Sequence, residues 1–384
     1  RRQRQMCIRD RNMGDGNIHN IRHSSCKNSR TLRVIQSMEE EKYMRRCIQL
    51  AQNGLCNTAP NPMVGAVIVC DGKIIGEGYH IRCGEAHAEV NAIRSVKEPS
   101  LLKRSTIYVS LEPCAHYGKT PPCADLIIEK QIPRIVIGCQ DPFAKVAGRG
   151  IQKLKDAGRE VIVGVLEEDC KNLIRRFVTF HSLHRPYITL KWAESADKHI
   201  DKCRKDGKPV ILSTPLTSML VHKRRAEHSA IMVGTHTAEL DNPSLTVRSW
   251  QGQSPVRIVI DRQQHLSPSL HLFDDSIRTL VFTGQPHAAF PNTEYIVIDF
   301  QQNILPQIMQ HLYAQGLQSL LVEGGSYLLQ SFINAELWDE IFVEESPLKL
   351  FSGVKAPEIG NKTPYVKEQY FGRNFRHYIA TRLG

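Results

Sequence analysis

Hydrophobic positions in the first half of the chain alternate between helical and extended spacing. Tyr43, Met44, Cys47, Ile48 and Ala51 recur at helical intervals and predict a helix over 39–53. Further helices are predicted at 86–95, 123–130, 151–157 and 167–181. Apolar runs predict strands at 64–70, 73–81, 106–111, 134–139 and 161–165. Asp71-Gly72 joins the first two strands as a hairpin turn. Alternating strands and helices indicate a layered α/β domain.

A second series of elements follows Arg185-Pro186, and proline disfavours helix for the residue before it. Strands are predicted at 187–192, 230–234, 256–261, 279–283, 294–298, 319–323, 340–345 and 375–382. Helices are predicted at 215–225 and, after Gly324-Gly325, through Asn334. A chain of 384 residues is long enough for two domains. We therefore expect an α/β protein with domains at 38–183 and 186–384.

The formal charge of +11 and the pI of about 9.1 at first suggest a nucleic-acid-binding protein. Residues 1–37, however, hold eight Arg and one Lys against two Asp, a net charge of +7, which leaves +4 for the other 347 residues. A zinc-stabilised nucleic-acid-binding protein remains an alternative and predicts strong, salt-dependent binding by the folded part. With so little net charge there, we expect no nucleic-acid partner.

The basic segment 1–37 lacks sustained apolar periodicity and is expected to be disordered. Its Arg-rich, acid-poor composition also allows an organellar transit peptide. Residues 1–11 resemble the translation of a sequencing-library adapter, which would make the extension an artefact and Met38 the native start. No apolar core of a secretory signal is visible, and no run of 18 apolar residues predicts a membrane span. With 11 cysteines, an odd number, we expect reduced thiols and a cytoplasmic protein.

One histidine and two cysteines carry the first candidate chemistry. His87, Cys114 and Cys123 are a three-ligand zinc set, and a catalytic zinc keeps its fourth position open for water. Zinc lowers the pKa of that water to about 7, so a zinc-bound hydroxide can attack an amino-bearing ring carbon. Glu89, two residues after His87, is the expected proton shuttle. His116 is the nearest candidate for a fourth ligand, as a purely structural zinc would require.

The spacing departs from the His-x-Glu and Pro-Cys-x-x-Cys pattern of zinc deaminases, because eight residues separate the two cysteines. The segments 61–65, 84–89 and 112–123 read Asn-Pro-Met-Val-Gly, Gly-Glu-Ala-His-Ala-Glu and Glu-Pro-Cys-Ala-His-Tyr-Gly-Lys-Thr-Pro-Pro-Cys. They resemble the riboflavin-biosynthesis deaminases, a branch of the cytidine deaminase-like superfamily with a three-layer fold. The resemblance covers nearly all of 38–183.

This resemblance implies a substrate, 2,5-diamino-6-(5-phosphoribosylamino)pyrimidin-4(3H)-one, which is deaminated to the aminouracil. It also implies that Asn61, His80 and Lys119 line the substrate side of the site. The Asn61 amide suits a ring edge or a ribose hydroxyl, and Lys119 offers a point charge for a phosphate.

The second half has no Gly-x-Gly-x-x-Gly run after a strand, so a Rossmann nicotinamide site is not indicated. Gly324-Gly325 nevertheless stands between a predicted strand and helix, where free backbone amides bind phosphate. The segments 191–197, 241–248 and 256–261 read Lys-Trp-Ala-Glu-Ser-Ala-Asp, Asp-Asn-Pro-Ser-Leu-Thr-Val-Arg and Val-Arg-Ile-Val-Ile-Asp. They resemble the reductase domain of the riboflavin pathway, which has a dihydrofolate reductase-like fold.

The reductase resemblance implies reduction of a ribosyl to a ribityl side chain, with NADPH as the hydride donor. The residues expected to contact NADPH are Ala193, Thr237, Asp241 and Gly325. The residues expected to contact substrate are Arg225, Leu245, Arg248 and Glu323, in which the two guanidinium groups suit a phosphate.

Two positions depart from the reductase pattern. Lys198 stands where the family commonly has Gly, so a positive φ there would strain the backbone. His228 replaces a usual Asp. The leading hypothesis is a bifunctional deaminase–reductase that binds a small phosphorylated pyrimidine and forms a homo-oligomer. The nearest alternative is a deaminase whose reductase domain has lost activity.

Overall fold

The computed structural model describes residues 22–117, 121–142, 147–204, 207–288 and 291–380. The helices of the first half are α1 (Arg22–Gln52), α2 (Ala88–Ser95), α3 (Cys123–Glu129), α4 (Arg149–Asp156), α5 (Glu167–Leu173) and α6 (Arg175–Leu183). Its strands are β1 (Gly65–Cys70), β2 (Lys73–Tyr79), β3 (Thr106–Leu111), β4 (Arg134–Cys139) and β5 (Glu160–Val163). These elements agree with the predicted order.

The five strands form one sheet in the order β2-β1-β3-β4-β5, in which β3, β4 and β5 are parallel. Helices α2, α3 and α4 bury Ala92, Ile127 and Leu154 against one face. Helices α1 and α5 bury Met44 and Cys170 against the other face. This is the three-layer architecture that the sequence predicts, and Asp71 and Gly72 make the predicted hairpin turn with φ of 50° and 73°.

Two helices differ from their predictions. Helix α1 begins at Arg22, inside the segment 1–37 that is expected to be disordered; no Pro or Gly interrupts residues 22–37, so the packed downstream part can propagate the helix. The single helix predicted over 167–181 is divided at Ile174, where φ is −102° and ψ is 16°. Ile174 is buried together with Leu173, so core packing fixes the break.

The second half adds β6 (Tyr187–Glu194), β7 (His199–Asp201), α7 (Pro215–Ala226), β8 (Ala230–Val233), α8 (Thr235–Asp241), β9 (Val256–Ile260), β10 (Thr279–Thr283), β11 (Thr293–Val297), α9 (Ile304–Ala314), β12 (Ser319–Glu323), α10 (Ser326–Asn334), β13 (Glu340–Glu345), β14 (Val354–Lys355), β15 (Val366–Tyr370) and β16 (Arg373–Ile379). The predicted strands are present. Helices α8 and α9 and the strands β7, β14 and β15 are additional to the prediction.

Nine strands form the second sheet in the order β11-β10-β9-β8-β12-β6-β13-β16-β15. The seven strands from β11 to β13 are parallel, and β16 and β15 are antiparallel. The carboxyl ends of β8, β9 and β12 therefore meet at one edge, which is where ligands bind in open α/β sheets. Among the described residues, none of the helices combines the length and apolar content that a membrane crossing requires.

Candidate active sites

His87, Cys114 and Cys123 converge beside the first sheet. His87 caps the amino end of α2, Cys114 follows β3, and Cys123 is the first residue of α3. His87 Nδ1 lies 3.6 Å from Cys114 Sγ and 3.4 Å from Cys123 Sγ, and all three ligand atoms lie within 4.8 Å of one another. Tetrahedral zinc with bonds of about 2.0–2.3 Å separates its ligands by about 3.3–3.8 Å, so this set fits zinc.

The electrostatics favour the metal-binding thiolate form at one of the two cysteines, Cys114. Hydrogen bonds with Cys123 and His87 lower the pKa of Cys114 to about 4 and favour its thiolate. The backbone N–H of Cys123, at the start of α3, donates to Cys114 Sγ at 3.3 Å. The Cys114–Cys123 hydrogen bond raises the pKa of Cys123, the thiol that donates. The thiolate is the form of cysteine that binds metals.

Glu89 lies in the first turn of α2 and is 3% exposed. Burial raises the pKa of its carboxyl to about 7. The group of potential ligands comprises His87 and the two cysteines without Glu89. His87, Cys114 and Glu89 line one cavity. Glu89 is therefore placed beside the metal ligands as a buried carboxyl, as expected of a proton carrier.

A cavity of about 370 Å³ opens over these residues, and its lining includes Asn61, His80 and His116. His80 is buried; its Nε2 lies 3.1 Å from Asn61 Nδ2 and its Nδ1 lies 3.1 Å from the Ala86 carbonyl oxygen. His116 borders the cavity but is not part of the potential ligand group. Lys119 lies outside the described residues.

Glu112 has a structural role that the sequence analysis missed. Its carboxylate is 6% exposed and accepts four backbone hydrogen bonds from the segment after β4. A Cβ on Gly150 would lie 2.0 Å from the Pro113 carbonyl oxygen, so this segment packs directly on the residue before Cys114. A Glu directly before Pro-Cys was the only sequence feature that could have indicated this role.

The second domain has a larger cavity, of about 870 Å³, at the carboxyl edge of its parallel strands. Gly234, Thr237, Ile260 and Gly325 are among its lining residues. Gly325 has a φ of 79°, and a Cβ there would lie 3.2 Å from Thr237 Oγ1. The positive φ therefore favours glycine, and a side chain there would also press against Thr237. Gly325 leaves the amino end of α10 open to a phosphate. The cavity's volume of about 870 Å³ lies within the range of about 300–1,000 Å³ that is usual for ligand pockets.

The other two residues expected to contact the cofactor are placed differently. Asp241, the last residue of α8, forms an ion pair of 2.5 Å with Arg204. Ala193 lies in β6 opposite Glu344 of β13. Neither residue is part of the lining of the 870 Å³ cavity.

The expected substrate residues of the second domain do cluster, around Thr246. Arg225 donates to Glu323 at 2.7 Å and to the Thr246 carbonyl oxygen at 3.2 Å. Arg248 donates to Thr246 Oγ1 at 2.7 Å, and Leu245 is buried next to it in the chain. Burial opposes the charge of Glu323, but the adjacent Arg225 holds the pKa of this carboxyl below its usual value.

The two departures from the reductase pattern are accommodated by local contacts. Lys198 has the positive φ that glycine would favour, 63°. Its ammonium forms ion pairs with Glu194 at 2.8 Å and Glu345 at 2.5 Å, which partly offset the strain. His228 is buried, with Nε2 2.9 Å from Thr189 Oγ1 and Nδ1 2.7 Å from the Arg224 carbonyl oxygen.

Comparisons with known proteins find a matching family for each half of the chain. Residues 37–139 match the cytidine and deoxycytidylate deaminase zinc-binding region, and residues 186–353 match the RibD C-terminal domain. The chain is 36% identical over 329 residues to the riboflavin biosynthesis protein RibD of Bacillus amyloliquefaciens, covering 83% of this chain and 87% of the relative. It is also 36% identical over 336 residues to RibD of Escherichia coli, covering 83% and 90%.

A solved structure from Thermotoga maritima shares the whole architecture. It is a diaminohydroxyphosphoribosylaminopyrimidine deaminase/5-amino-6-(5-phosphoribosylamino)uracil reductase with 37% identity and a TM-score of 0.81, and the match covers 89% of this chain and 99% of that one. The chain therefore belongs to the RibD family of bifunctional riboflavin-biosynthesis enzymes, which deaminate a pyrimidine at a zinc-binding region and reduce its ribosyl group to ribityl with NAD(P)H.

Proposed function

We propose that the first cavity deaminates 2,5-diamino-6-(5-phosphoribosylamino)pyrimidin-4(3H)-one and that the second domain reduces the resulting aminouracil with NADPH. One observation carries this proposal. The potential zinc ligands His87, Cys114 and Cys123 lie within 4.8 Å of one another, beside the buried carboxyl of Glu89.

The residues of the first site have different roles in deamination. His87, Cys114 and Cys123 would hold a zinc ion, which supplies a Lewis acid that lowers the pKa of water to about 7. Glu89 would carry the two protons of the attacking water in turn, the first to the ring nitrogen and the second, from the new hydroxyl on C2, to the departing amino group. Oxygen thereby replaces nitrogen at C2, and ammonia leaves. Burial of Glu89 keeps competing water away from this transfer.

Asn61 and His80 orient the pyrimidine at the mouth of this site. The Asn61 amide and the His80 ring already lie 3.1 Å apart, so each restricts the orientation of the other. For Lys119 we retain the role of phosphate ligand, which rests on the sequence resemblance.

In the second domain, the amino end of α10, which begins after Gly325 and borders Thr237, would receive the pyrophosphate of NADPH, which supplies the hydride. Ala193 and Asp241 are proposed as further cofactor contacts on the sequence resemblance alone. Arg225 and Arg248 would bind the substrate phosphate. Leu245 would supply an apolar wall, and Glu323 would orient Arg225 through their hydrogen bonds.

Several properties of the whole chain remain proposals. We place the domain boundary within 183–186, between α6 and β6, and propose small phosphorylated ligands without a nucleic-acid partner. We also propose a reducing, cytoplasmic location, because an odd number of cysteines, 11, is not typical of a disulfide-bonded secreted protein. A homo-oligomer is compatible with β15 as an outer strand of the second sheet, and analytical ultracentrifugation tests it.

A coupled assay on the full zinc-loaded chain tests the function. The diaminopyrimidine made from GTP is supplied with and without NADPH, and ammonia release and NADPH oxidation are followed. Deamination should proceed without NADPH. Oxidation of NADPH should occur only when the diaminopyrimidine is also present. Ammonia release without any NADPH oxidation would favour a deaminase with an inactive second domain, and no ammonia release would refute the proposal.

A further inference from the structure

One wall of the 370 Å³ deaminase cavity comes from α6, the helix that leads into the second domain. Phe177 and His181 both line this cavity. They are four residues apart on one helix, so they share a face, and their ring centroids lie 4.3 Å apart. The pair provides an aromatic part of the wall of the cavity that His87 and Cys114 also line.

The second domain holds this helix from outside the cavity. The ring of Phe180 in α6 lies 4.7 Å from that of Tyr313, near the end of α9. His184, just after α6, lies 5.2 Å from the same tyrosine ring. At the start of α6, Arg175 forms an ion pair of 2.8 Å with Glu340 of β13. The position of the cavity wall therefore depends on side chains of the second domain.

The second domain also contacts the loop that carries Pro60 and Asn61. Pro60 and Asn61 line the cavity, and Gln318 Nε2 donates to the Pro60 carbonyl oxygen at 2.6 Å. Gln318 comes directly before β12 and is only 5% exposed. Its backbone carbonyl accepts a hydrogen bond from Tyr187 at 2.9 Å, which fixes it to the second sheet. Loss of the Gln318 amide would leave the loop that carries Asn61 without this support.

We propose that the second domain positions the substrate-binding walls of the deaminase cavity, with Gln318 and Tyr313 as positioning residues for the first reaction. Phe177 and His181 form the surface against which the planar aminopyrimidine rests. The proposal builds on the deaminase function proposed above. It implies that the first reaction depends on residues of the reductase domain that touch neither zinc nor substrate.

Two substitutions test the positioning role in the full zinc-loaded chain. Gln318→Ala and Tyr313→Ala should each raise the KM of deamination about tenfold, the order expected for loss of one buried hydrogen bond or ring contact. The kcat should change less, because His87, Glu89 and the cysteines stay in place. Tyr313→Phe should restore the wild-type KM, because the contacts use the ring. Gln301→Ala, an exposed amide of the same domain, is the matched control.

Reduction of separately supplied aminouracil by NADPH and the zinc content should remain at wild-type values in both variants. Phe177→Leu provides an independent measurement from the cavity side and should also raise the KM with zinc retained. Wild-type KM values in Gln318→Ala and Tyr313→Ala would overturn the proposal. Parallel loss of zinc and of reduction would also overturn it, because it would indicate general misfolding. A wild-type chain without deaminase activity would instead refute the proposed function itself.

Discussion

Replacement of Glu112 by Gln would test whether one buried carboxylate holds the segment beside the zinc ligands. Oε1 of Glu112 accepts hydrogen bonds from the N–H groups of Gly150 and Ile151, at 2.9 and 3.2 Å. Oε2 accepts from those of Asp141 and Gly148, at 3.2 and 3.0 Å. An amide has a single acceptor oxygen, so Glu112→Gln would direct its NH2 group at two backbone donors.

These contacts set the expected loss of stability in Glu112→Gln. Two buried N–H groups without an acceptor cost about 1–3 kcal/mol each, so we expect a loss of about 2–6 kcal/mol in the free energy of unfolding. With a urea m-value of about 2 kcal/mol/M, the unfolding midpoint of the first domain falls by about 1–3 M. Because Glu112 is two residues from Cys114, zinc affinity and deamination should fall as well.

Urea unfolding followed by circular dichroism, zinc analysis and the two activity assays measure these effects. Glu129→Gln is the matched control, because Glu129 is exposed and pairs only with its neighbour Lys130 among the contacts described. This control should stay within about 0.5 kcal/mol of wild type. A wild-type midpoint and wild-type zinc content in Glu112→Gln would refute the reasoning.

Four further variants test the sites. Glu89→Gln should lower deamination about 10²–10⁴-fold with zinc retained, and zinc loss would contradict its role as a proton carrier. Cys114→Ser should lose zinc and deamination but keep NADPH oxidation with supplied aminouracil; loss of both activities would contradict separate sites. Arg225→Met removes the ion-pair partner of the partly buried Glu323, so the free energy of unfolding measured in urea should fall by up to about 3–5 kcal/mol, and an unchanged midpoint would contradict this. Lys198→Gly relieves the positive φ but removes two ion pairs, so stability should change by less than about 1 kcal/mol and the reduction rate should persist; a loss of reduction would show that Lys198 is required.

The proximity of the candidate deaminase residues was predictable because their relation is partly local. His87 and Glu89 stand at the cap and in the first turn of α2, so a spacing of two residues already places both at one helix end. Cys123 likewise begins α3. The hairpin at Asp71-Gly72 and the alternation of strands and helices were equally local, because turn chemistry and burial period act over a few neighbours.

The division of α5 from α6 was not predictable in this way. Residues 167–181 keep helical spacing throughout, and only the burial of Ile174 against the first sheet shows where the direction changes. The ion pair of Asp241 with Arg204 was likewise not visible in the sequence, and Asp241 is not among the lining residues of the 870 Å³ cavity.

The sequence by itself determined the order of elements, the two-domain layout and the candidate ligand set His87, Cys114 and Cys123, because each depends on periodicity or on motif spacing. Tertiary structure decided which distant groups meet. Glu112 accepts hydrogen bonds from N–H groups that lie 29 to 39 residues downstream. Gln318 donates to the carbonyl oxygen of Pro60, which is 258 residues away in the chain. Any buried Glu or Gln could form such bonds, so residue type alone cannot identify the partner. Only the packing of the two sheets and of α6 brings these atoms within hydrogen-bonding distance.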